Sequence, residues 1–497
     1  MKKKFLKWGT ILVGMSMAFA LVLSGCGETP DNSDEKDPTT QGPGNNNNNG
    51  NQEEKLKVTY RSDYTPTKFS DVTNEVTQIA PGVHLVANKM TLQADWQKGN
   101  TCVVYTVEVD LNKADIVAGT KGNQTTGFDW AHATPYRMAL DWEQATGGKV
   151  YASMNADFFA HGDGGLSVNA FVKDGVILKA AHNDNSNYDY KQDASDVPAS
   201  APMLFGVKGT SAQIAPITTV EGDPVAPSVK EQIIKSKLFY ALMDNLNNVF
   251  NVQENAVPAT MSGDKAIAFH TSTQSVRQPA GGCIVKVDTT GGIKNLKVLE
   301  DGRKVTKSEN VAGGEGYAYL QTKSDTTAGK YLQSLKAGDT LSFSVASDDG
   351  KWNGYETILG CRQALVINNQ IPGTVTKENT NGAQNQDIPR TAVGIKNGKV
   401  VLFGVESLYY YASKFNYTPN KETDFHGMNL PELAEFAYYY GCSDAANFDG
   451  GGSTQLITKP VDGEAEVIIR AAEYFTRGLH ETRAVVNAFL ITSKVGK

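Results

Sequence analysis

Cysteine is scarce in this chain, with five in 497 residues, and no two form a C-x-x-C. Cys102, Cys283, Cys361 and Cys442 stand far apart, which leaves no basis for a zinc ribbon or a thioredoxin-like redox pair. An export compartment permits disulfides between them and buried free thiols serve equally well, so no pairing follows. Histidine is also rare, seven in all, and no H-E-x-x-H occurs, which argues against the helical zinc-hydrolase pattern. Past the first residues there is no cluster of Lys or Arg, and the net charge is −7. A nucleic-acid or polyanion-binding face therefore has no support.

What is present begins with a basic Met1-Lys2-Lys3-Lys4 and an apolar, small-residue-rich stretch from Trp8 to Leu23. That stretch is short for a membrane span and ends in Leu23-Ser24-Gly25-Cys26. The arrangement resembles a bacterial lipoprotein signal, residues 1–25, and this resemblance implies a diacylated Cys26 at the mature N-terminus. Residues 26–60 are dominated by Asp, Asn, Thr, Pro and Gly, with Asn45 to Asn49 unbroken. So little apolar surface cannot offset ordering entropy, and a disordered tether is expected. The localisation expected is the cell membrane, lipid-anchored, facing the extracellular or periplasmic side.

Residues 61–497 are long enough for a large core. Runs rich in β-branched residues, such as Val103-Val104-Tyr105-Thr106-Val107 and Val400-Val401-Leu402-Phe403, read as strands. Pro135 and Pro431 each suit the first turn of a helix, and Gly147 and Gly441 each suit its end. Asn368-Asn369 and Asn397-Gly398 are hairpin pairs. Residues 232–247 fit either strand or helix. The fold class expected is α+β: a β-rich mixed sheet core with helices packed on it, and a β-rich middle section, about 210–350, over the cleft.

One order of events occurs twice. A helix, a glycine stop and a strand lead into Asn155-Ala156-Asp157-Phe158-Phe159, and again into Asn447-Phe448-Asp449. Each is followed by a glycine-rich loop, the second being Gly450-Gly451-Gly452-Ser453-Thr454. Consecutive glycines allow close backbone approach to a ligand, and their N–H groups can line an anion-binding concavity. The two Asn-x-Asp ends are expected to face a common cleft. Arg390, at the mouth of a strand, has the planar fork that clamps phosphate.

Asn447 to Thr454 resembles the N-L-D-G-G-G-S-S/T signature of the phosphodiester glycosidases, relatives of the "uncovering" N-acetylglucosamine-1-phosphodiester alpha-N-acetylglucosaminidase. Pro389-Arg390-Thr391-Ala392-Val393-Gly394 is similar to the family's P-R-T-A-I-G, and Glu432-Leu433-Ala434 to its E-L-A helix. Gly441-Cys442-Ser443-Asp444-Ala445 and Arg483-Ala484-Val485-Val486-Asn487-Ala488 fit two further family stretches. The likeness runs from about Val83 to the C-terminus. Ala156 and Asp157 replace the two glycines of the family's N-G-G-F-F, which adds a carboxylate or alters the substrate that fits.

The resemblance implies hydrolysis of the bond between a sugar's anomeric carbon and a phosphodiester. On that reading the catalytic set is Asp449, Arg390, Asn155 and Asp157. Arg390 and the N–H groups of Gly450, Gly451 and Gly452 would take the phosphate, with Arg483 as a second positive charge. Asp449 would activate water or stabilise the sugar cation. Asn155, Asn447, Ser453 and Thr454 would orient hydroxyls beside Thr391, and His426 or His161 could serve as acid or base. No cofactor is required by the motifs, but calcium is possible, because Asp157, Asp163 and Asp449 are hard oxygen ligands. The expected partners are a glycan or wall polymer and the membrane, without nucleic acid. The alternative is a surface lipoprotein that binds carbohydrate without turnover, using Tyr409-Tyr410-Tyr411 and Tyr438-Tyr439-Tyr440 as stacking platforms.

Overall fold

The computed structural model describes residues 58–495 apart from 95–96, 126–129, 160–164, 166, 181–202, 217–237, 255, 257–262, 348, 377–385, 416–417, 421–423, 462 and 471–482. The signal stretch, Cys26, His161 and Asp163 lie outside the described residues. Among those described, no helix is long and apolar enough to cross a membrane. The described fold includes residues before 61: Tyr60 stacks on Tyr439 with ring centroids 4.7 Å apart.

A seven-stranded antiparallel sheet carries the architecture. Its order is Phe69–Ala80, Val83–Leu92, Thr101–Val109, Lys399–Val405, Arg390–Lys396, Asp444–Asn447 and Ala364–Val366. The central strands are apolar at almost every position because both faces are covered. Val400 and Leu402 enter one core cluster, while Val401, Phe403 and Val405 enter another on the opposite face, as the two-residue strand period requires. The second cluster is closed by the helix Leu430–Tyr439 through Leu433, Phe436, Ala437 and Tyr440. Asn429 caps that helix, accepting from the Glu432 N–H while the Glu432 side chain accepts from the Asn429 N–H.

The first cluster is shared with two five-stranded sheets. One runs Glu466–Ile469, Leu456–Thr458, Val150–Asn155, Ala488–Ser493, Ala114–Gly119. The other runs Val176–Lys179, Phe171–Lys173, Thr357–Cys361, Met203–Lys208, Ser211–Pro216. Met154, Leu456 and Phe489 from the one meet Phe171, Phe205 and Leu359 from the other in that core. The helix Pro135–Thr146 has its N-cap at Thr134 and ends at Gly147, whose φ of 71° needs no Cβ. Asn397 and Gly398 both take positive φ, 50° and 76°, the signature of the two-residue turn joining Arg390–Lys396 to Lys399–Val405.

The middle section is a further sheet of eight strands drawn from residues 238–347, with the helix Thr327–Ser334 packed on it and its own core around Phe250, Leu320, Leu332 and Phe343. It is mixed: Val249–Glu254 runs parallel to Ala266–His270, and the other neighbours are antiparallel. The ambiguous stretch 232–247 holds the strand Leu238–Met243. The sheet is joined to the preceding one where the Ile177 N–H donates to the Tyr240 hydroxyl at 2.9 Å. The molecule is a β-rich α+β fold. Cys102, Cys283, Cys361 and Cys442 are all buried free thiols.

Candidate functional site

Three strand ends meet at Asn155. It terminates Val150–Asn155, is 1% exposed, and spends its whole amide on neighbours. Its Nδ2 donates to the Asp449 carbonyl at 2.6 Å, and its Oδ1 accepts from Thr391 Oγ1 at 2.9 Å and from the Gln455 N–H at 3.1 Å. Backbone bonds complete the junction: the Phe448 N–H donates to Thr391 O at 2.8 Å, and the Asp449 N–H to Ala156 O at 3.1 Å. The two Asn-x-Asp ends are thus brought side by side, with the P-R-T-A strand between them. Asn155 acts as the pin of the site, its amide turned to protein groups.

The glycine run then turns tightly. Gly451 has φ 58° and Gly451–Ser453 forms a single 3-10 turn. The Gly451 N–H donates to Pro389 O at 2.8 Å, and the Tyr411 hydroxyl donates to Gly451 O at 2.7 Å. An N–H already donated cannot also hold a phosphate, so the expected cradle narrows to Gly450 and Gly452. A Cβ on Gly452 would stand 2.3 Å from a guanidinium nitrogen of Arg483, so only glycine lets that cation lie against the turn. Thr454 and Thr391 are buried together, their hydroxyls 3.4 Å apart.

Asp449 is partly buried. Burial raises its carboxyl to about 7 even though the Ser453 hydroxyl and the positive charges of Arg483 and Arg362 pull it down, and the charge of Asp157 adds to the rise. It is therefore divided between acid and carboxylate near neutral pH. Asp157 is buried outright, and burial raises it to about 6. Its Oδ2 accepts from Ser167 Oγ and from the Asn169 N–H at 3.0 Å, its Oδ1 from Asn169 Nδ2 at 2.7 Å. Lys179 stands close by, its ammonium on the carbonyls of Ser167 and Val168. The added carboxylate binds together the chain of the first loop, with both oxygens in use. A calcium ion would compete with these donors for Asp157. Among the described residues no group of three His, Cys, Asp or Glu is arranged to hold a metal.

Arg390 is buried and bonded to two backbone carbonyls. It is 4% exposed; Nε donates to Met428 O at 2.9 Å and a terminal nitrogen to Gln386 O at 3.0 Å. Burial lowers its pKa to about 9, against the charges of Asp387 and Glu432. Its fork clamps the protein's own loops. His426 sits on the same side, with Nδ1 3.0 Å from Asp387 Oδ2 and its ring stacked on Tyr409 at 3.9 Å. Of the tyrosines expected as sugar platforms, the second set packs against protein groups. Tyr440 is buried, Tyr438 lies under Arg61 at 4.2 Å, and Tyr439 stacks on Tyr60.

Sequence reasoning passed over four site residues. Arg362 follows the strand Thr357–Cys361 and stands over the Phe158 ring, 4.6 Å from its centroid. Gln455 donates to Ser453 O and Arg483 O, at 3.2 and 3.0 Å, and its Oε1 has no protein partner. Asn487 accepts the Asp157 N–H at 2.9 Å, leaving its Nδ2 without one. Asp387 holds His426. Only Asn487 had a signal in the sequence, as a member of a recognised stretch. Asn447, which was expected, gives Nδ2 to Gln363 Oε1 at 3.1 Å and leaves a buried Oδ1 unpartnered.

Among curated proteins no match to the chain is found. Among solved structures, the fold is similar to a hypothetical protein from Synechocystis, at 14% identity and TM-score 0.45, over 87% of this chain. The chain spans 65% of that protein's length. It is also similar to the catalytic domain of zebrafish N-acetylglucosamine-1-phosphodiester alpha-N-acetylglucosaminidase, auto-inhibited by its pro-peptide, at 12% identity and TM-score 0.37, over 88% of this chain and 87% of that one. With TM-scores under 0.5, neither likeness bears on the chemistry. The family model for phosphodiester glycosidases matches residues 275–492, a stretch that holds the P-R-T-A strand, the glycine turn and Arg483 but begins well after Val83 and leaves out Asn155. Over residues 275–492, somewhat less than half of its length, the chain is thus similar to the phosphodiester glycosidases.

Proposed function

We propose that the protein is an exported hydrolase that cleaves a sugar-1-phosphodiester bond in a glycan or wall polymer. The observation that carries this reading is Asp449: a carboxyl held near neutrality by burial, beside Ser453 and under the charge of Arg483. Phosphate is a good leaving group, so the site needs a base for water and positive charge for the departing anion more than a strong acid. In the proposed step water attacks the anomeric carbon, the bond from that carbon to the phosphate oxygen breaks, and Asp449 takes the proton of the attacking water. The electron pair leaves on the phosphate, which Arg483 and the turn at Gly450 and Gly452 receive. Asn447 Oδ1, Gln455 Oε1 and Asn487 Nδ2 are buried polar atoms without protein partners, suited to sugar hydroxyls.

Asn155, Thr391 and Thr454 hold the frame in this scheme, Asp157 fixes the first loop, and Arg390, packed against Gly450, braces the Met428 and Gln386 loops. Purified protein offered a panel of glycosyl phosphodiesters should release reducing sugar. Unchanged turnover in Asp449→Asn would remove Asp449 from the step, and a protein that retains affinity without ever releasing sugar is a binder. The lipid anchor at Cys26 belongs to the same proposal, resting on the signal-like N-terminus; labelled fatty acid that still enters Cys26→Ser would contradict it.

A further inference from the structure

We propose that Arg362, acting with Arg483, is the residue that binds the anionic group of the ligand in this cleft. Its place is set by backbone: the Arg362 N–H donates to Asn447 O at 2.9 Å, which ties it to the strand leading into Asp449. Its guanidinium stands over Phe158, the residue after Asp157, so this one residue touches both Asn-x-Asp segments, one through its backbone N–H and the other through its side chain. Gly360, two residues earlier, passes so close to Asn169 that a Cβ there would fall 2.0 Å from the Asn169 Cβ, and Asn169 is the residue that grips Asp157. The strand is thereby pressed against the site rather than passing near it.

Chemistry favours this arginine over Arg390 for an anion. A guanidinium over an aromatic ring keeps its charge beside an apolar face, and its planar fork matches the geometry of a phosphate. Arg390 directs Nε and a terminal nitrogen to the Met428 and Gln386 carbonyls. Arg362 and Arg483 both act on the Asp449 carboxyl, so two cations gather about one carboxylate. Polar atoms without protein partners stand in the same walls: Asn447 Oδ1, 4% exposed as a residue, and Asn487 Nδ2, fully buried. That the anion is the phosphate of a glycosyl phosphodiester rests on the hydrolase reading; that an anion binds here does not.

Calorimetric titration of the folded chain with inorganic phosphate tests the inference. Arg362→Met should weaken phosphate by about 10- to 100-fold, the range for a lost charge-assisted pair. Arg362→Lys, which keeps the charge without the fork, should fall between. Circular dichroism establishes that each variant is folded; should Arg362→Met fail, Arg362→Lys decides, and an affinity equal to wild type overturns the inference. So does a wild-type protein that binds no phosphate. If wild type turns over a glycosyl phosphodiester while Arg362→Met keeps both its KM and its phosphate affinity, the inference falls and the hydrolase reading stands. If no glycosyl phosphodiester is cleaved but phosphate binding depends on Arg362, the hydrolase reading falls and the inference stands.

Discussion

Replacing Asn155 by alanine removes the pin on which three strand ends turn, and the cost can be worked from its contacts. Asn155 is 1% exposed and makes three hydrogen bonds, to Asp449 O, Thr391 Oγ1 and the Gln455 N–H. After truncation the Thr391 hydroxyl still has Thr454 Oγ1 at 3.4 Å. The Gln455 N–H and the Asp449 carbonyl lose their Asn155 partner. Leaving a buried polar group unsatisfied costs about 1–3 kcal/mol, so two of them give a loss of roughly 2–6 kcal/mol. Equilibrium urea unfolding of Asn155→Ala reads this directly. A cycle with Thr391→Val should return a coupling of about 1 kcal/mol, since the two side chains share one bond. Asn155→Asp refines the test: its oxygens still accept from Thr391 and Gln455, but one oxygen now faces the Asp449 carbonyl where a donor stood at 2.6 Å. It should be no more stable than alanine at neutral pH and should recover in acid, when protonation restores the donor. A loss under about 0.5 kcal/mol in Asn155→Ala, the size of an ordinary surface change, would refute the account of this junction.

Two further outcomes follow. Arg390→Lys should lose about 1–3 kcal/mol of stability, because one ammonium cannot reproduce a fork reaching Met428 O and Gln386 O, while the folded fraction keeps its kcat; full stability with lost turnover would return Arg390 to the phosphate. For Asp449, burial lifts the folded carboxyl from 3.8 to about 7, so the native state holds a proton that the unfolded chain releases. The stability this contributes is complete below about pH 4 and lost as pH rises through 7. Melting temperatures of wild type relative to Asp449→Asn should fall between about pH 4 and 7 and level off above, while kcat/KM rises through about 7 as the base ionises; a flat difference would show an ordinary carboxylate.

Local chemistry made the scaffold legible. Asn397-Gly398 takes the positive φ pair that fixes its hairpin, and Pro431 with Gly441 bounds the helix that covers the central sheet. The pairing of Asn155 with Asp449 was legible too, because a repeated helix–strand–Asn-x-Asp order says that two loops end alike. What the sequence hid was direction. Arg390 looks like a ligand clamp in one dimension, yet its fork is used on two carbonyls that only tertiary packing brings within reach. Asp157 reads as a spare carboxylate until Ser167 and Asn169 are seen to occupy both oxygens. Arg362 carried no motif, and its importance arises from the approach of Phe158 and Asn447, some two hundred residues before it and eighty-five after.

The four buried thiols have a use of their own. Burial pushes Cys283 to about 11 and Cys442 to about 12, and holds Cys102 and Cys361 well above the usual thiol range, so none offers a thiolate to a reagent while its surroundings stay closed. They are also well distributed: Cys102 lies in the seven-stranded sheet, Cys283 in the eight-stranded one, Cys361 in a five-stranded one, and Cys442 just past the helix Leu430–Tyr439. The chain thus carries a natural label in each of these layers. Rates of alkylation at the four positions time the opening of each layer separately, and tell whether the inserted sheet loosens before the sheets that hold the cleft.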